Sequence, residues 1–409
     1  MTMARVPLPP AQALMFHGHP REAILFLGNS SADRFLRAIC YRHLGELEHA
    51  QFLIDSLVGN PDLPQQAVLN TAGMIMTDLG RFEESVPYFE RALATLNSLE
   101  NPQICSYDGN TGGPQIKLNL AYALMRLARF EEASPLWQTA RYRWSWETPL
   151  MPWTGEPGRV LVVPEGGVGD QILFSRWIPK AQAMGAEVTY YLHQELFDYV
   201  PPFRLLGCDL ISKPRSVHTL AESYMDIDWS KFDYGISIMD LPAICGMKSI
   251  ADIPEDEWRF QASKTGSGKA GLCWAAEEVG SQRRMRSIPV EELEPLRGVT
   301  EWISLAPGRP CPYWIDEFSP ANWGETWNLL CSLDYLVTCD TAVAHLAGAL
   351  GVETYLILPL ASDWKYFTKN LVGDISPWYP SVRLIRNTHP TSFAPAIESL
   401  HEILSHSGV

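Results

Sequence analysis

The stretch that decides the fold of this 409-residue chain is "RVLVVPEGGVGDQILFSR", which runs from Arg159 to Arg176. Its first five residues form an apolar run that predicts a buried strand. From Ile172 to Ile178 the apolar residues return at helical spacing, which predicts a helix directly after the glycine-rich turn. A strand, a glycine turn and a helix in this order can present backbone N–H groups at the helix start to an anion.

The turn itself matches neither of two familiar phosphate-binding signatures. Its glycines are Gly166, Gly167 and Gly169, followed at once by Asp170. The Gly-Lys-Ser/Thr ending of a P-loop is absent, and the spacing is not the G-x-G-x-x-G of a dinucleotide site. A carboxylate in the first turn of a helix would repel a phosphate bound there. Asp170 therefore indicates catalytic chemistry or a capping role.

Downstream of Gly158, short apolar runs alternate with amphipathic stretches. The runs are "RVLVV", "EVTYYL", "DYGISI", "KAGLCWA", "EWISLA", "DYLVTC" and "ETYLILP". This alternation predicts βα units and parallel sheets with helices on both faces. The Gly/Ser/Lys-rich stretch 261–271 divides the runs, so we expect Rossmann-like lobes at 159–262 and 268–409, with a ligand cleft at the carboxyl ends of their strands.

The first third of the chain repeats a helical hairpin three times. The copies are "RAICYRHLGELEHAQFLIDSL" (37–57), "AGMIMTDLGRFEESVPYFERAL" (72–93) and "LAYALMRLARFEEASPLWQTA" (120–140). Small residues correspond on the first helix (Ala38, Gly73, Ala121), in the turn (Gly45, Gly80, Ala128) and on the second helix (Ala50, Ser85, Ala133). Such residues let paired helices cross closely and neighbouring pairs stack.

This pattern resembles the tetratricopeptide repeat. It predicts a repeat domain over 1–141, with Ala11 to Leu27 as a degenerate leading unit, and a Trp- and Pro-rich linker over 142–158. Arrays of this kind bind extended peptides or partner helices in a concave groove, so we expect a protein partner. A dimerisation surface or a purely structural cap is the alternative.

Composition excludes several classes of protein. The net charge is −15, and the densest basic run is "QRRMR" (282–286), so a nucleic-acid or anionic-membrane surface is not expected. No apolar run approaches the ~18 residues of a membrane span, and the N-terminus does not have the pattern of a signal peptide. The eight cysteines are scattered without a C-x-x-C pair, which predicts a reducing, cytoplasmic environment without structural zinc.

A second motif lies in the C-terminal lobe, where the run "DYLVTC" ends and "AVAHLAGAL" begins. Asp340 or Thr341 can cap this predicted helix, and the free N–H groups of its first turn can hold a diphosphate. His345 follows one turn later on the same face as Thr341. A histidine beside such a strand end is a candidate binding residue.

The turn "GGVGDQILFSRWIP", followed far downstream by "CDTAVAHLAGALG", resembles glycosyltransferase family 9, the bacterial ADP-heptose–lipopolysaccharide heptosyltransferases. The chain is still more similar to tetratricopeptide-bearing bacterial proteins with a module of this type, over about residues 160–390. The resemblance implies a GT-B fold of two Rossmann-like lobes, with the donor nucleotide sugar held mainly by the C-terminal one.

The resemblance also implies roles for individual residues. Asp170 matches the general base, and Arg286 falls in the loop whose basic residue meets the donor phosphates. The other implied donor-binding residues are Trp274, Asp340, Thr341, Ala342 and His345. Two departures stand out: family members commonly carry Lys in the phosphate loop, and relatives often have Trp-x-Gly where this chain has Trp274-Ala275-Ala276.

These residues predict a glycosyltransferase that needs neither a metal nor a cofactor. Arg286, His345 and the helix amides after Thr341 can stabilise the charge left on the nucleotide. The nearest string to a metal-binding DxD pair is "DID" (226–228), which we interpret as a surface loop. The acceptor is expected to be a protein or glycan hydroxyl, recruited by the repeats. The alternative is a non-catalytic repeat scaffold with a degenerate sugar-nucleotide module. A dinucleotide-dependent oxidoreductase is not favoured, because the chain lacks the fingerprint glycines of that class.

Overall fold

The computed structural model describes residues 10–98, 113–141, 149–200, 203, 206–213, 227–254, 266, 268–276, 286–368 and 373–406. The chain forms two compact units. The first comprises Met1–Arg143 together with Asp363–Lys369, and the second comprises Trp144–Ser362 and Asn370–Val409.

The first unit is built from helices packed in antiparallel pairs. They are α1 (Pro10–Phe16), α2 (Pro20–Ile24), α3 (Ser31–Leu44), α4 (Leu47–Asp55), α5 (Gln65–Asp78), α6 (Phe82–Asn97), α7 (Gly113–Arg126) and α8 (Phe130–Arg141). Each odd-numbered helix packs on the even-numbered helix that follows it, and α4 and α6 also contact the next pair. The three predicted hairpins are α3/α4, α5/α6 and α7/α8, and the shorter pair α1/α2 occupies the place of the predicted leading unit.

The three hairpins turn in the same way. Gly45, Gly80 and Ala128 all have left-handed backbone conformations, with φ of 78°, 73° and 58°. In each turn this residue's N–H bonds the carbonyl three positions back, and the next N–H bonds the carbonyl five positions back. This is a Schellman-type helix ending, which favours glycine because a Cβ is strained there. The predicted correspondence of these turn residues is confirmed, and Ala128 adopts the conformation despite its Cβ.

Small residues allow the paired helices to approach closely. Ala38, Ala50, Ser85, Ala121 and Ala133 are all fully buried. At Gly73 of α5, an added Cβ would lie 2.6 Å from a ring carbon of Phe89 on α6. The small positions picked out by the repeat pattern are therefore the positions where the helices cross.

A segment from late in the chain, Asp363–Lys369, belongs to the helical unit. The Thr368 N–H and hydroxyl donate to the Arg126 carbonyl at 2.8 and 3.1 Å. The ring of Phe367 packs edge-on against Phe130 of α8, with centroids 5.5 Å apart. The sequence pattern gave no sign of this role, because the bonds between Thr368 and Arg126 join residues 242 positions apart.

The second unit contains two parallel sheets. The first has the strands β1 (Met151–Pro152), β2 (Gly158–Val163), β3 (Ala186–His193), β4 (Asp209–Lys213) and β5 (Tyr234–Ser237); the second has β6 (Lys269–Cys273), β7 (Glu301–Ser304), β8 (Ile315–Asp316), β9 (Tyr335–Cys339), β10 (Glu353–Leu358) and β11 (Val382–Arg386). The helices around them are α9 (Val168–Phe174), α10 (Ile178–Ala183), α11 (Gln194–Tyr199), α12 (Leu241–Ile244), α13 (Trp323–Ser332), α14 (Ala342–Ala349) and α15 (Ala394–His406). All pairings between these strands are parallel.

The strand orders place a switch point in each sheet. The first sheet runs β1-β5-β2-β3-β4 and the second runs β11-β10-β9-β6-β7-β8. In the first sheet the chain leaves β2 in one direction and returns to its other side at β5. In the second sheet it does the same at β6 and β9. Ligands of such sheets bind at the carboxyl ends of the strands flanking this reversal.

Buried apolar residues explain why the central strands form. All five residues of β9 are buried, and Val337 within it is fully buried, as are Leu272 and Ile357 on the neighbouring strands β6 and β10. Continuous apolar strands of this kind are covered by helices on both faces. The predicted fold class is confirmed: helical repeats are followed by two Rossmann-like lobes of the GT-B type. One short strand, β1, and the buried Trp153 lie within the stretch predicted as a linker.

In the described part of the chain no helix combines the length and apolar character that a bilayer crossing requires.

Candidate functional site

The glycine-rich turn places Asp170 over the start of α9. Its Oδ2 atom accepts a hydrogen bond from the Gly167 N–H at 2.9 Å. Gly166 has φ of 69°, and a Cβ on it would lie 2.3 Å from that same Oδ2. Only glycine fits under this carboxylate. Asp170 therefore has the capping contact considered in the sequence, and it also stands half-buried at the carboxyl end of β2.

Next to it, a second carboxylate lies at the switch point of the first sheet. Glu165 follows β2, and its Oε2 accepts a short hydrogen bond from the hydroxyl of Ser237, the last residue of β5. Ser237 also accepts from the Met239 N–H at 3.1 Å. Sequence analysis missed this pair. The position of Glu165 directly after a buried strand was the available signal, but its partner lies 72 residues away.

At the switch point of the second sheet, α14 begins without a side-chain cap. Thr341 occupies the N-cap position, with φ of −138° and ψ of 168°, but its hydroxyl makes no capping bond. Instead Thr341 Oγ1 lies 3.2 Å from Thr338 Oγ1 and 3.9 Å from Cys273 Sγ. The capping bond anticipated from the Thr341 side chain is thus replaced by contacts with neighbouring strand ends. The first-turn N–H groups, beginning with that of Ala342, therefore donate no hydrogen bond to the Thr341 hydroxyl.

The two switch points meet through Gly169. An added Cβ there would lie 2.7 Å from His345 Cδ2 and 3.1 Å from Ala342 Cα. The start of α9 consequently rests directly on the start of α14. The positive ends of both helix dipoles are brought together, an arrangement that favours negative charge nearby. Asp170 supplies such a charge to α9.

Arg286 lies at the edge of the same site. The Ile288 N–H donates to the Trp274 carbonyl at 2.8 Å, and the Ala276 N–H donates to Ser287 Oγ at 3.0 Å. These bonds hold the chain around Arg286 beside the carboxyl end of β6. A hydrogen bond with Cys273 and burial raise the pKa of Cys339, whereas the positive charge of Arg286 lowers it. The guanidinium is thus near enough to act electrostatically on the end of β9. Arg283 and Arg284 lie outside the described residues.

Trp274 has a different environment. Its side chain is 3 % exposed and belongs to the hydrophobic core of the second lobe, together with Ile288 and Ala306. Its backbone carbonyl is the group that faces the Arg286 segment. The Trp274 side chain therefore packs in the core, and its predicted part in donor binding stays a prediction.

His345 lies on α14 and is buried where α14 meets α9 of the first lobe. It is 3 % exposed, and its Nδ1 lies 3.4 Å from the hydroxyl of Tyr379. Asp340, which directly follows the last residue of β9, is 5 % exposed. Tyr379 was not identified from the sequence because nothing in its local pattern distinguishes it from a core aromatic.

Metal-binding groups are a separate question. Within the described ranges, no cluster of three or more His, Cys, Asp or Glu side chains is arranged to hold a metal ion. Asp228 of the "DID" string caps a short 3-10 turn by accepting from the Ser230 N–H and hydroxyl. Asp226 lies outside the described residues.

No family model matches the chain, and no curated protein matches it. Several solved structures are similar to it, among them the following three. The Escherichia coli heptosyltransferase WaaC with ADP has a TM-score of 0.39 and 11% identity, over 60% of this chain and 99% of that one. The iron-containing dodecameric glycosyltransferase TibC from enterotoxigenic E. coli has a TM-score of 0.42 and 13% identity, over 64% and 79%. An O-GlcNAc transferase mutant from Thermobaculum terrenum has a TM-score of 0.33 and 12% identity, over 97% and 91%.

All three neighbours are glycosyltransferases by name. At these identities and TM-scores the similarities assign no residue of this chain a role. The site is therefore defined by its own geometry: Gly169, Asp170, Ala342 and His345 lie together where α9 meets α14, with Arg286 beside the end of β9.

The contact at Gly169 is testable by adding one methyl group. Gly169→Ala should lower the free energy of unfolding by about 1–3 kcal/mol, because the Ala342 backbone cannot move aside. Gly167→Ala is the matched control in the same turn: its φ is −87°, and its added Cβ would lie 4.0 Å from Asp170 Oδ2, which is an ordinary contact distance. Urea unfolding of both variants measures the difference. Equal stability of the two would contradict the close contact.

Proposed function

We propose that this protein is a metal-independent GT-B glycosyltransferase of the family 9 type, fused to tetratricopeptide repeats. It transfers a sugar from a nucleotide-sugar donor to an acceptor hydroxyl in the cytoplasm. The observation that carries the proposal is the meeting of two strand-end turns. The uncapped start of α14 at the β6/β9 switch point lies against the glycine–aspartate turn at the β2/β5 switch point.

The donor diphosphate is assigned to the start of α14. Its first-turn N–H groups lack a side-chain cap, so an anion can satisfy them. Arg286 adds a full positive charge beside the same strand end. An arginine and helix amides together provide directional donors to a phosphate, and their effect is greatest as negative charge develops on the leaving group.

The acceptor side is assigned to the first lobe. Asp170 stands at the carboxyl end of β2, with Oδ2 held by the Gly167 N–H. A carboxylate oriented in this way can accept the proton from an acceptor hydroxyl as it attacks the sugar. The bond to the sugar carbon forms while the bond from that carbon to the diphosphate breaks. The proton passes to Asp170, and the nucleotide diphosphate leaves with its charge held by Arg286 and the α14 amides.

The proposal requires no metal, since Arg286, the helix amides and His345 carry out the charge stabilisation that a cation would supply elsewhere. The helical unit is proposed to recruit the acceptor, a protein or a glycan carried on one. Paired helices with a regular crossing provide the kind of surface that binds extended segments.

A second candidate function rests on one specific contact. Because Asp170 caps α9, its presence is also explained by a structural role in a non-catalytic scaffold that binds a nucleotide sugar without transfer. The two functions differ in turnover and not in donor binding.

A donor panel distinguishes these functions. Calorimetry with ADP-, UDP-, GDP- and CMP-sugars should identify one nucleotide class that binds without added divalent cation, and EDTA should leave that binding unchanged. Incubation of the bound donor, radiolabelled in the sugar, with cell extract should transfer label to a macromolecule. Binding without transfer would support the scaffold, and binding that needs a metal would refute the metal-independent site.

Asp170→Asn tests the base directly. The amide oxygen can still accept from Gly167, so folding and donor affinity should persist, whereas kcat should fall by about 10²–10⁴-fold because the base is lost. The matched control is Asp252→Asn, since Asp252 accepts from the Ser249 N–H at 2.7 Å in a comparable cap in the same lobe. Near-normal turnover of Asp170→Asn would remove Asp170 from the base role.

Arg286→Ala tests the donor site. Loss of a charge-assisted pair with phosphate should weaken donor binding about ten- to a hundredfold. It should also slow turnover, since the leaving-group charge is greatest in the transition state. Arg283→Ala and Arg284→Ala, in the same basic run, should have far smaller effects when donor binding is measured by calorimetry. Equal small losses at all three positions would identify a charged surface loop and contradict the placement of the donor.

A further inference from the structure

A buried arginine joins the two lobes of the second unit. Arg176, which lies just after α9, is 5 % exposed. Its Nε donates to the Leu173 carbonyl at 3.0 Å, and its Nη1 donates to the Trp378 carbonyl at 2.7 Å. The guanidinium carbon lies 4.8 Å from the centroid of the Tyr379 ring. One end of this side chain is therefore fixed to its own lobe and the other to the segment before β11.

Burial lowers the pKa of Arg176, and the Tyr379 phenol opposes that shift by charge and by a hydrogen bond. A guanidinium remains protonated in proteins, so Arg176 is a fixed cation with donors only. Placing such a group in the interior costs free energy unless its bonds are well made. Its hydrogen bonds to the Leu173 and Trp378 carbonyls offset this cost and hold the Trp378–Tyr379 segment against the first lobe.

The segment that receives Arg176 is itself rigid. The Ser376 N–H donates to the Val382 carbonyl at 2.8 Å, and the Val382 N–H donates to the Tyr379 carbonyl at 3.0 Å. The Tyr379 ring lies so close to α14 that a Cβ on Gly348 would be 2.5 Å from its Cγ. The position of the phenol ring is thus determined from both sides.

From this position Tyr379 reaches the candidate site. Its hydroxyl lies 3.4 Å from His345 Nδ1, and the two rings are tilted by 58° with centroids 5.9 Å apart. On its other side the His345 ring contacts the backbone at Gly169. The imidazole is consequently held between the glycine turn of one lobe and the tyrosine of the other.

The partners of the Tyr379 hydroxyl favour one direction for its bond to His345. A tyrosine hydroxyl has one proton to donate and lone pairs to accept. Because Arg176 can only donate, its hydrogen bond with the phenol uses the phenol oxygen as acceptor, and the phenol proton can be donated to His345 Nδ1 at 3.4 Å. A neutral imidazole that accepts at Nδ1 carries its own proton on Nε2.

We propose that Arg176 and Tyr379 are positioning residues that hold His345 in the tautomer with a protonated Nε2. The role of that proton rests on the proposed function: the Nε2–H donates a hydrogen bond to the departing diphosphate. No proton is transferred in this step; His345 acts as a neutral donor whose orientation is prepared before the donor binds. Preparation of this kind lowers the cost of organising the site during the reaction.

Tyr379→Phe is the decisive variant, because it keeps the ring that packs on Gly348 and removes only the hydroxyl. Protein labelled with ¹⁵N-histidine, with His345 assigned through His345→Gln, should show one tautomer in the wild-type chain, with Nδ1 unprotonated. In Tyr379→Phe the two tautomers should be mixed. The matched control is Tyr355→Phe, in the same lobe, which removes a hydroxyl that donates to Glu353 and should leave the His345 signals unchanged.

Kinetics give a second readout. Loss of the prepared hydrogen bond should lower kcat about five- to tenfold in Tyr379→Phe, with KM for the donor nearly unchanged. Arg176→Lys, which keeps the charge but not the forked donors, should shift the tautomer balance in the same direction.

A His345 with a protonated Nδ1 in the wild-type protein would overturn the inference. An unchanged His345 tautomer in Tyr379→Phe would overturn it as well. The nitrogen signals are measured without donor or acceptor. If no nucleotide sugar supports transfer, the proposed function fails, while the tautomer measurement still decides the role of Arg176 and Tyr379.

Discussion

The contact between Gly169 and the first turn of α14 is the constraint on which the candidate site depends. There is no room for a Cβ at this point, since it would lie 2.7 Å from His345 and 3.1 Å from the Ala342 backbone. In each sheet the winding direction reverses beside the strand that directly precedes one of these helices, which is β2 for α9 and β9 for α14. Bringing the two helix starts together therefore places two ligand crevices side by side. The proposed function depends on this closeness, because it places the donor in one lobe and the base in the other.

Electrostatics explains the choice of side chains around this contact. Two helix dipoles present their positive ends to each other, which is unfavourable unless negative charge lies close by. Asp170 supplies it at α9 by accepting from Gly167. At α14 the Thr341 hydroxyl points instead to Thr338 and Cys273, so the first-turn amides keep no side-chain cap. One helix start is neutralised by a carboxylate of the protein, and the other has no cap from its N-cap side chain; the proposed base and phosphate sites rest on this asymmetry.

The helical unit depends on a different constraint. The same backbone conformation recurs in the turn of each helix pair and keeps the pairs regularly spaced. Gly45, Gly80 and Ala128 all adopt left-handed turns with the same two hydrogen bonds. Arg126 of α7 is buried in this unit. Burial lowers the pKa of Arg126, and the charges of Asp363 and Asp78 oppose that shift. Asp363 comes from a segment that joins the unit from far along the chain.

The sequence by itself determined the features that are written in local patterns. Periodicity was enough to predict the helical hairpins and the alternating strands. The position of each motif at a strand end was enough to select Asp170, Thr341 and His345 as candidates. Both patterns can be seen in residues that are neighbours along the chain. Only the tertiary structure decided which groups surround them. Arg176 bonds a carbonyl 202 residues away and Glu165 a hydroxyl 72 residues away, and neither partner leaves a trace in the local sequence. Burial also separates Trp274, packed in the core, from Asp170, since both follow a strand and only packing distinguishes a core side chain from one beside a cleft.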